Sequence, residues 1–243
     1  MLRMESPLQQ MSAFLCAAAV AAALSLVINS NAFVGIATAY LAVAASVYLG
    51  RTHLLDDPVS GWPMRYLIWG LVAESIIFDR FIAAVKSGDL LNKIASGAAQ
   101  VLSFAVLSVY LGTDYAPSWS AFAVGCAALA YLAYGGVLRA YPSLVMAVLG
   151  AGYTAFEAVS RSLEIATYEP AVVAGYAVAV LFWLITERAL ACERFTSGIP
   201  EKDRKNLPLV GIVAANALLL TMLFRVPALA EWNPAWVTIG WFI

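Results

Sequence analysis

The sequence predicts an all-α membrane protein, a polytopic bundle of about eight transmembrane helices. Of its 243 residues, 63% are apolar and only 12% are charged, whereas a soluble globular domain has about 45–50% apolar and about 25% charged residues. The apolar residues form long runs rich in Ala and Leu. A transmembrane β-barrel would instead show segments of about ten residues in which apolar and polar side chains alternate.

Eight of these runs are long enough to cross the hydrocarbon core as a helix, which takes about 20 residues. Pro63, Pro142, Pro170 and Pro208 lie near the start of a run, where the missing N–H of proline leaves no helical hydrogen bond unmade. The eight runs use most of the chain, so we expect no soluble domain. The predicted spans are 12–28, 32–50, 64–85, 93–111, 119–138, 142–165, 170–194 and 206–225.

The charge and the cysteine and histidine counts exclude several classes of protein. The net charge is −1, with 14 basic and 15 acidic residues, so the basic surface of a nucleic-acid-binding protein is missing. The three cysteines lie far apart in apolar runs, which argues against a disulfide scaffold. His53 is the only histidine, so we expect no haem and no metal site with several histidines. Bound lipids or pigments remain open as ligands.

The positions of Lys and Arg predict the orientation, because basic residues favour cytoplasmic loops. With the N-terminus outside, nine of the 14 basic residues, including all four lysines, lie on the cytoplasmic side. We therefore expect both termini outside, in the inner membrane of a bacterium. The cytoplasmic group is Arg80, Lys86, Lys93, Arg139, Arg188, Arg194, Lys202, Arg204 and Lys205, and the outer group is Arg3, Arg51, Arg65, Arg161 and Arg225.

Ordered matches between the two halves predict an internal duplication. They divide the chain into a first four-helix repeat, 1–118, a second one, 119–231, and a Trp-rich interfacial tail, 232–243. Because each repeat has an even number of spans, the repeats would be parallel, related by an axis along the membrane normal. The matches are Ser12-Ala13-Phe14 with Ser120-Ala121-Phe122, Cys16 with Cys126, Tyr40 with Tyr153, Leu71-Val72-Ala73-Glu74 with Leu184-Ile185-Thr186-Glu187, Asp79-Arg80-Phe81 with Glu193-Arg194-Phe195, Ala98-Ala99-Gln100 with Ala214-Ala215-Asn216, and Pro117-Ser118-Trp119 with Pro234-Ala235-Trp236.

Four polar residues inside the spans form two pairs in this alignment, Glu74 with Glu187 and Gln100 with Asn216. Polar groups in hydrocarbon normally face the protein interior and find partners there. If the third, fourth, seventh and eighth spans meet, the four side chains would line one polar locus. This locus would be either a path for protons or substrate, or a set of hydrogen bonds that hold the helices together.

Two adjacent acid–base pairs lie nearer the predicted cytoplasmic ends of their spans, Asp79-Arg80 and Glu193-Arg194. We interpret them as ion pairs at the rim of the membrane, where long side chains reach water.

Glu157, Arg161 and Glu164 share one face of the sixth span through their i, i+4, i+7 spacing, since residues three or four apart are neighbours on a helix. This charged stripe is either a structural ladder or subunit contact, or a vestibule that attracts cations.

No catalytic motif occurs in the sequence, which leaves three hypotheses for the function. The favoured one is an integral membrane subunit, a structural or accessory component of a larger membrane assembly with other subunits or with further copies of the chain. The alternative is a small transporter or a proton or ion channel that uses the polar locus. The third is an intramembrane enzyme acting on a lipid or isoprenoid.

Overall fold

The structure, a computed structural model, describes residues 6–28, 30–50, 61–85, 89–115, 117–138, 140–165, 169–191 and 207–229. Within these ranges it contains long α-helices and no strand, which confirms the predicted all-α fold. A π-helical segment at Tyr110–Tyr115 and a 3₁₀ turn at Pro117–Trp119 connect the fourth helix to the fifth. The helices are α1 (Pro7–Val27), α2 (Asn31–Leu49), α3 (Gly61–Val85), α4 (Leu90–Val109), α5 (Ser120–Leu138), α6 (Tyr141–Glu164), α7 (Pro170–Ala191) and α8 (Leu207–Leu229).

Each predicted span coincides with one helix, and seven of the helices are long and apolar enough to cross a membrane. The protein is therefore an integral membrane protein. The exception is α3, which is long enough but carries Arg65, Glu74, Asp79 and Arg80.

Several helix starts follow directly from the local sequence. The Ser6 side chain accepts a hydrogen bond from the Gln9 amide at 3.3 Å and so caps α1. Ser30 caps α2 in the same way through the Ala32 amide. Serine oxygens at this position satisfy amide groups that have no partner inside the helix. Proline is the first residue of α1 and of α7, where its fixed φ suits a helical start.

The chain folds into two compact units, Met1–Tyr110 and Leu111–Ile243. In the first unit α1 contacts α2 and α3, α4 contacts α2 and α3, and α2 also touches α3. In the second unit α5 contacts α6 and α7, α8 contacts α6 and α7, and α6 also touches α7. The first unit ends ahead of the boundary predicted after residue 118, and the predicted tail 232–243 lies outside the described residues.

Polar contacts near the helix ends show that consecutive helices run in opposite directions. Asn31 at the start of α2 donates to Asp89 at the start of α4, so these two helices start at the same end of the first unit. In the second unit Ser162 at the end of α6 hydrogen-bonds to Tyr176 near the start of α7. Arg225 near the end of α8 donates to the Ser162 carbonyl. Each unit is therefore an up-and-down bundle.

The core of the second unit depends on small residues. Ala121, Ala158 and Ala179 are buried around Tyr176, whose ring is fully enclosed. Gly125 lets α5 approach α6 and α7 closely, since an added Cβ would lie 2.4 Å from Val178 Cγ1. Small residues have this role in many helix contacts within membranes.

Candidate functional site

A buried carboxylate organises the polar contacts between α3 and α4. The Asp79 side chain has no exposed surface. Its Oδ1 accepts hydrogen bonds from Ser96 Oγ and from Gln100 Nε2, the latter at 3.0 Å. Its Oδ2 receives Arg80 at 2.9 Å from Nε and at 2.6 Å from the terminal nitrogen. The Asp79 carboxylate thus accepts hydrogen bonds from two helices, at Oδ1 from α4 and at Oδ2 from α3.

The two members of the Asp79–Arg80 ion pair differ in exposure. Arg80 extends outward with 33% of its side chain exposed, but Asp79 points into the first unit. The physical reason is that Ser96 and Gln100 offer the carboxylate the hydrogen bonds that water would otherwise supply. The second predicted rim pair, Glu193-Arg194, lies outside the described residues.

Glu74 lies near the middle of α3 and is half-buried. Within the part of the chain that the structure describes, its side chain makes no hydrogen bond and no ion pair. Gln100, its expected neighbour in the polar locus, is bonded to Asp79 instead. The five-residue step from Glu74 to Asp79 turns the two carboxylates to different faces of α3.

Glu187 lies at the contact between α7 and α8. Its side chain is 16% exposed and pairs with Arg188 at 3.3 Å, and Arg188 itself is 86% exposed. Helix α8 passes close by because of Gly211, where an added Cβ would meet the Glu187 Cβ at 2.9 Å. Glu187 is therefore covered by a helix backbone rather than by a polar partner on α8.

Asn216 differs most from its expected environment. Its side chain is exposed, and its Nδ2 donates to the Ile212 carbonyl of its own helix at 2.9 Å. Its predicted counterpart Gln100 is buried and bonded across a helix contact. Glu74, Gln100, Glu187 and Asn216 thus have four different environments within their own units.

Arg161 joins the end of α6 to the start of α5. Its Nε donates to Glu157 Oε1 at 2.7 Å, as the charged stripe predicts for an i, i+4 pair. Its two terminal nitrogens donate to the carbonyls of Ser118 at 3.0 Å and Pro117 at 2.6 Å. Glu157 also accepts from Ser120 Oγ at 3.2 Å. Glu164, the third member of the stripe, is exposed.

A second polar contact at this end of the second unit was not expected from the sequence. Ser162 and Tyr176 share a hydrogen bond of 3.0 Å between their hydroxyl groups, and both side chains are fully buried. A terminal nitrogen of Arg225 donates to the Ser162 carbonyl at 2.5 Å. A tyrosine in an apolar span is the only sequence signal for this contact, because a buried Tyr hydroxyl usually has a partner.

A groove of about 390 Å³ opens between α5, α6 and α7. Its walls are Leu, Val, Ile, Ala and Gly side chains with one polar residue, Thr186. The Thr186 hydroxyl donates to the Phe182 carbonyl of its own helix at 2.8 Å. Binding sites for polar ligands carry several converging polar groups, so this groove suits apolar chains only.

Among the described residues, no group of three or more His, Cys, Asp or Glu side chains is placed to hold a metal ion. No family model, curated protein or solved structure matches the chain.

Proposed function

We propose that the protein is a non-catalytic integral subunit of a larger membrane assembly. Most charged and polar groups of the described helices are used in contacts inside one unit, as Asp79 with Gln100 and Glu157 with Arg161 illustrate. The groove between α5, α6 and α7 is apolar. These observations favour side chains that hold helices together over side chains that carry out a reaction.

The exposure of Asn216 carries this proposal. Asn216 lies in the span Pro208–Arg225 of α8, in which only 17% of the residues are buried, against 28% to 44% for the other six apolar spans. Apart from its bond to Ile212, the carboxamide has a second N–H and an oxygen with no partner among the described residues, and leaving them so in hydrocarbon is unfavourable. Contact with a helix of another subunit would supply partners, since polar side chains hydrogen-bond across transmembrane helix contacts. We therefore expect α8 to form the contact with the assembly.

A photoreactive amino acid tests this in intact membranes. Placed at Leu220, which is 39% exposed on α8, it is expected to yield an adduct larger than the 25.9 kDa chain. The matched control is Phe156 on α6, which is 70% exposed and should react with lipid only. Equal adduct yields at both positions, or none at Leu220, would contradict the proposal.

We also propose that the two units arose by duplication and that both termini lie outside, in a bacterial inner membrane. The duplication is supported by the helix contacts, since the same pairs of corresponding helices touch in both units. The orientation is supported by the distribution of Lys and Arg. Protease digestion of terminal tags from outside intact spheroplasts tests the orientation, and protection of either tag would contradict it.

A second candidate function, proton or ion transport, is favoured by one observation. Glu74 is half-buried near the middle of α3 and makes no hydrogen bond or ion pair to any described side chain. Ionisable residues at this depth often mark ion paths. If the protein transports ions, flux into liposomes should fall in Glu74→Gln and Glu187→Gln, with the exposed Glu164→Gln as control. Full activity in both variants would assign these carboxylates to structure.

A further inference from the structure

The exposed side of α8 carries one polar side chain at its centre. A helix turns by about 100° per residue, so Leu209, Asn216 and Leu220 point in nearly the same direction. Leu209 is 54% exposed, Leu220 is 39% exposed, and Val213 beside them is 66% exposed. The buried residues Ala215 and Leu218 lie on the opposite side of the helix. We call this surface the Asn216 face.

A line of residues with heptad spacing runs along the Asn216 face. The line consists of Leu209, Ile212, Asn216, Leu219 and Leu223, with alternating steps of three and four. This spacing is the seam of a two-stranded coiled coil, and most transmembrane bundles pack with the same crossing angle. A single Asn in such a seam fixes register and the number of strands.

The carboxamide of Asn216 is complementary to itself. One N–H of Nδ2 donates to Ile212 at 2.9 Å. The second N–H and Oδ1 have no hydrogen-bond partner among the described residues. Because an asparagine both donates and accepts, two copies related by a two-fold axis can form a reciprocal pair of hydrogen bonds. An unrelated helix would need a polar group of its own at the matching depth, whereas a second copy brings one.

We infer that two copies of this chain pack α8 against α8, with the Asn216 side chains paired across a two-fold axis. This inference rests on the proposed function, since it identifies the first partner of the exposed helix.

Disulfide trapping in native membranes tests the contact. Two differently tagged copies are expressed together after Cys16, Cys126 and Cys192 are replaced by Ser, and Leu219→Cys, a seam position that is 40% exposed, is added to both. Mild oxidation should give a covalent dimer of twice the 25.9 kDa chain that carries both tags. The control is Leu184→Cys on α7, which is 47% exposed and should stay monomeric.

The contribution of Asn216 to the dimer dissociation constant is measured by Förster resonance energy transfer between fluorescently labelled copies in detergent micelles. Asn216→Leu should weaken the dimer about 3- to 30-fold, the range for a polar contact between transmembrane helices. Asn216→Gln keeps the carboxamide and should retain most of the association. Thr221→Val is the control because the Thr221 hydroxyl donates only to the Ala217 carbonyl of its own helix, at 2.8 Å.

The outcomes separate this inference from the proposed function. A photo-adduct at Leu220 with a different protein, and no dimer of this chain, would overturn the inference and leave the proposed function standing. If neither the disulfide trapping nor the photoreactive residue gives any adduct of this chain, the inference and the proposed function are both overturned. A dimer that is as strong in Asn216→Leu as in the unchanged chain would overturn the pairing of the carboxamides.

Discussion

The Gln100 side chain on α4 donates a hydrogen bond of 3.0 Å to the Asp79 carboxylate on α3. Ser96, one turn earlier on α4, donates to the same oxygen, Oδ1. Arg80 pairs with the other oxygen and is partly exposed. The buried carboxylate can stay charged because each of its oxygens accepts hydrogen bonds. The carboxylate in turn provides the acceptor that these buried donors need. Asp79 thus ties together two helices that would otherwise meet through apolar contacts alone.

Removing the carboxylate should destabilise the first unit. We expect Asp79→Ala to lower the free energy of unfolding by about 1–3 kcal/mol, because Ser96 and Gln100 lose their acceptor while Arg80 still reaches water. Gln100→Leu should lower it by about 1–3 kcal/mol, because it leaves one acceptor with fewer donors. Reversible unfolding in mixed detergent micelles measures both changes.

The same two substitutions also test whether Asp79 and Gln100 act together. Groups in one hydrogen-bond network give non-additive effects, so the double variant should lose less than the sum of the single variants. Strictly additive losses would mean that the two side chains stabilise the unit independently. Glu164→Gln, at an exposed position, serves as the control and should leave stability unchanged.

Arg161 and Arg188 provide a matched comparison of two arginines that each pair with an acid. Arg161 makes three hydrogen bonds, to Glu157 and to the Ser118 and Pro117 carbonyls. Arg188 is 86% exposed with one contact at 3.3 Å. Arg161→Leu should therefore lower the free energy of unfolding by about 1.5–3 kcal/mol, and Arg188→Leu by less than about 1 kcal/mol. Equal losses would contradict the role of Arg161 at the α5 start.

Replacing Gly125 or Gly152 of the second unit by alanine should change the stability in opposite directions. At Gly125 a Cβ would lie 2.4 Å from Val178 Cγ1 and 3.0 Å from Thr154 Cγ2. Gly125→Ala should therefore push α5 away and lower stability by about 1–3 kcal/mol. At Gly152 nothing lies within 4 Å of the added carbon, so Gly152→Ala should raise stability by about 0.5–1 kcal/mol. Thermal unfolding of the two variants side by side checks the signs.

The helices could be predicted from the sequence because each crossing needs a fixed length of apolar chain. Which side of a helix faces the rest of the protein could not be predicted in the same way. In α4 the buried Ala99 precedes a buried Gln100, whereas in α8 the buried Ala215 precedes an exposed Asn216. Apolar residues lie on every side of α8, so hydropathy does not show which side meets protein. In α4 the polar residues Asn92, Gln100 and Ser103 share one face, and that face is buried.

Contacts within one helix were also easier to predict than contacts between helices. Glu157 and Arg161 are one turn apart on α6, so their pairing follows from spacing alone. The other partners of Arg161 are the backbone carbonyls of Pro117 and Ser118. Every residue has such a carbonyl, so no pattern of side chains marks the ones that Arg161 contacts.

The buried hydroxyl pair of the second unit supports a last prediction. Tyr176 and Ser162 are fully buried and share a hydrogen bond of 3.0 Å. Tyr176→Phe keeps the ring and removes the hydroxyl, so it should lower the free energy of unfolding by about 0.5–1.5 kcal/mol. Tyr153→Phe makes the same chemical change at a position that is 43% exposed and should have almost no effect. If both variants unfold at the temperature of the unchanged protein, the packing of the Tyr176 ring, and not its hydrogen bond, joins α6 to α7 at this end.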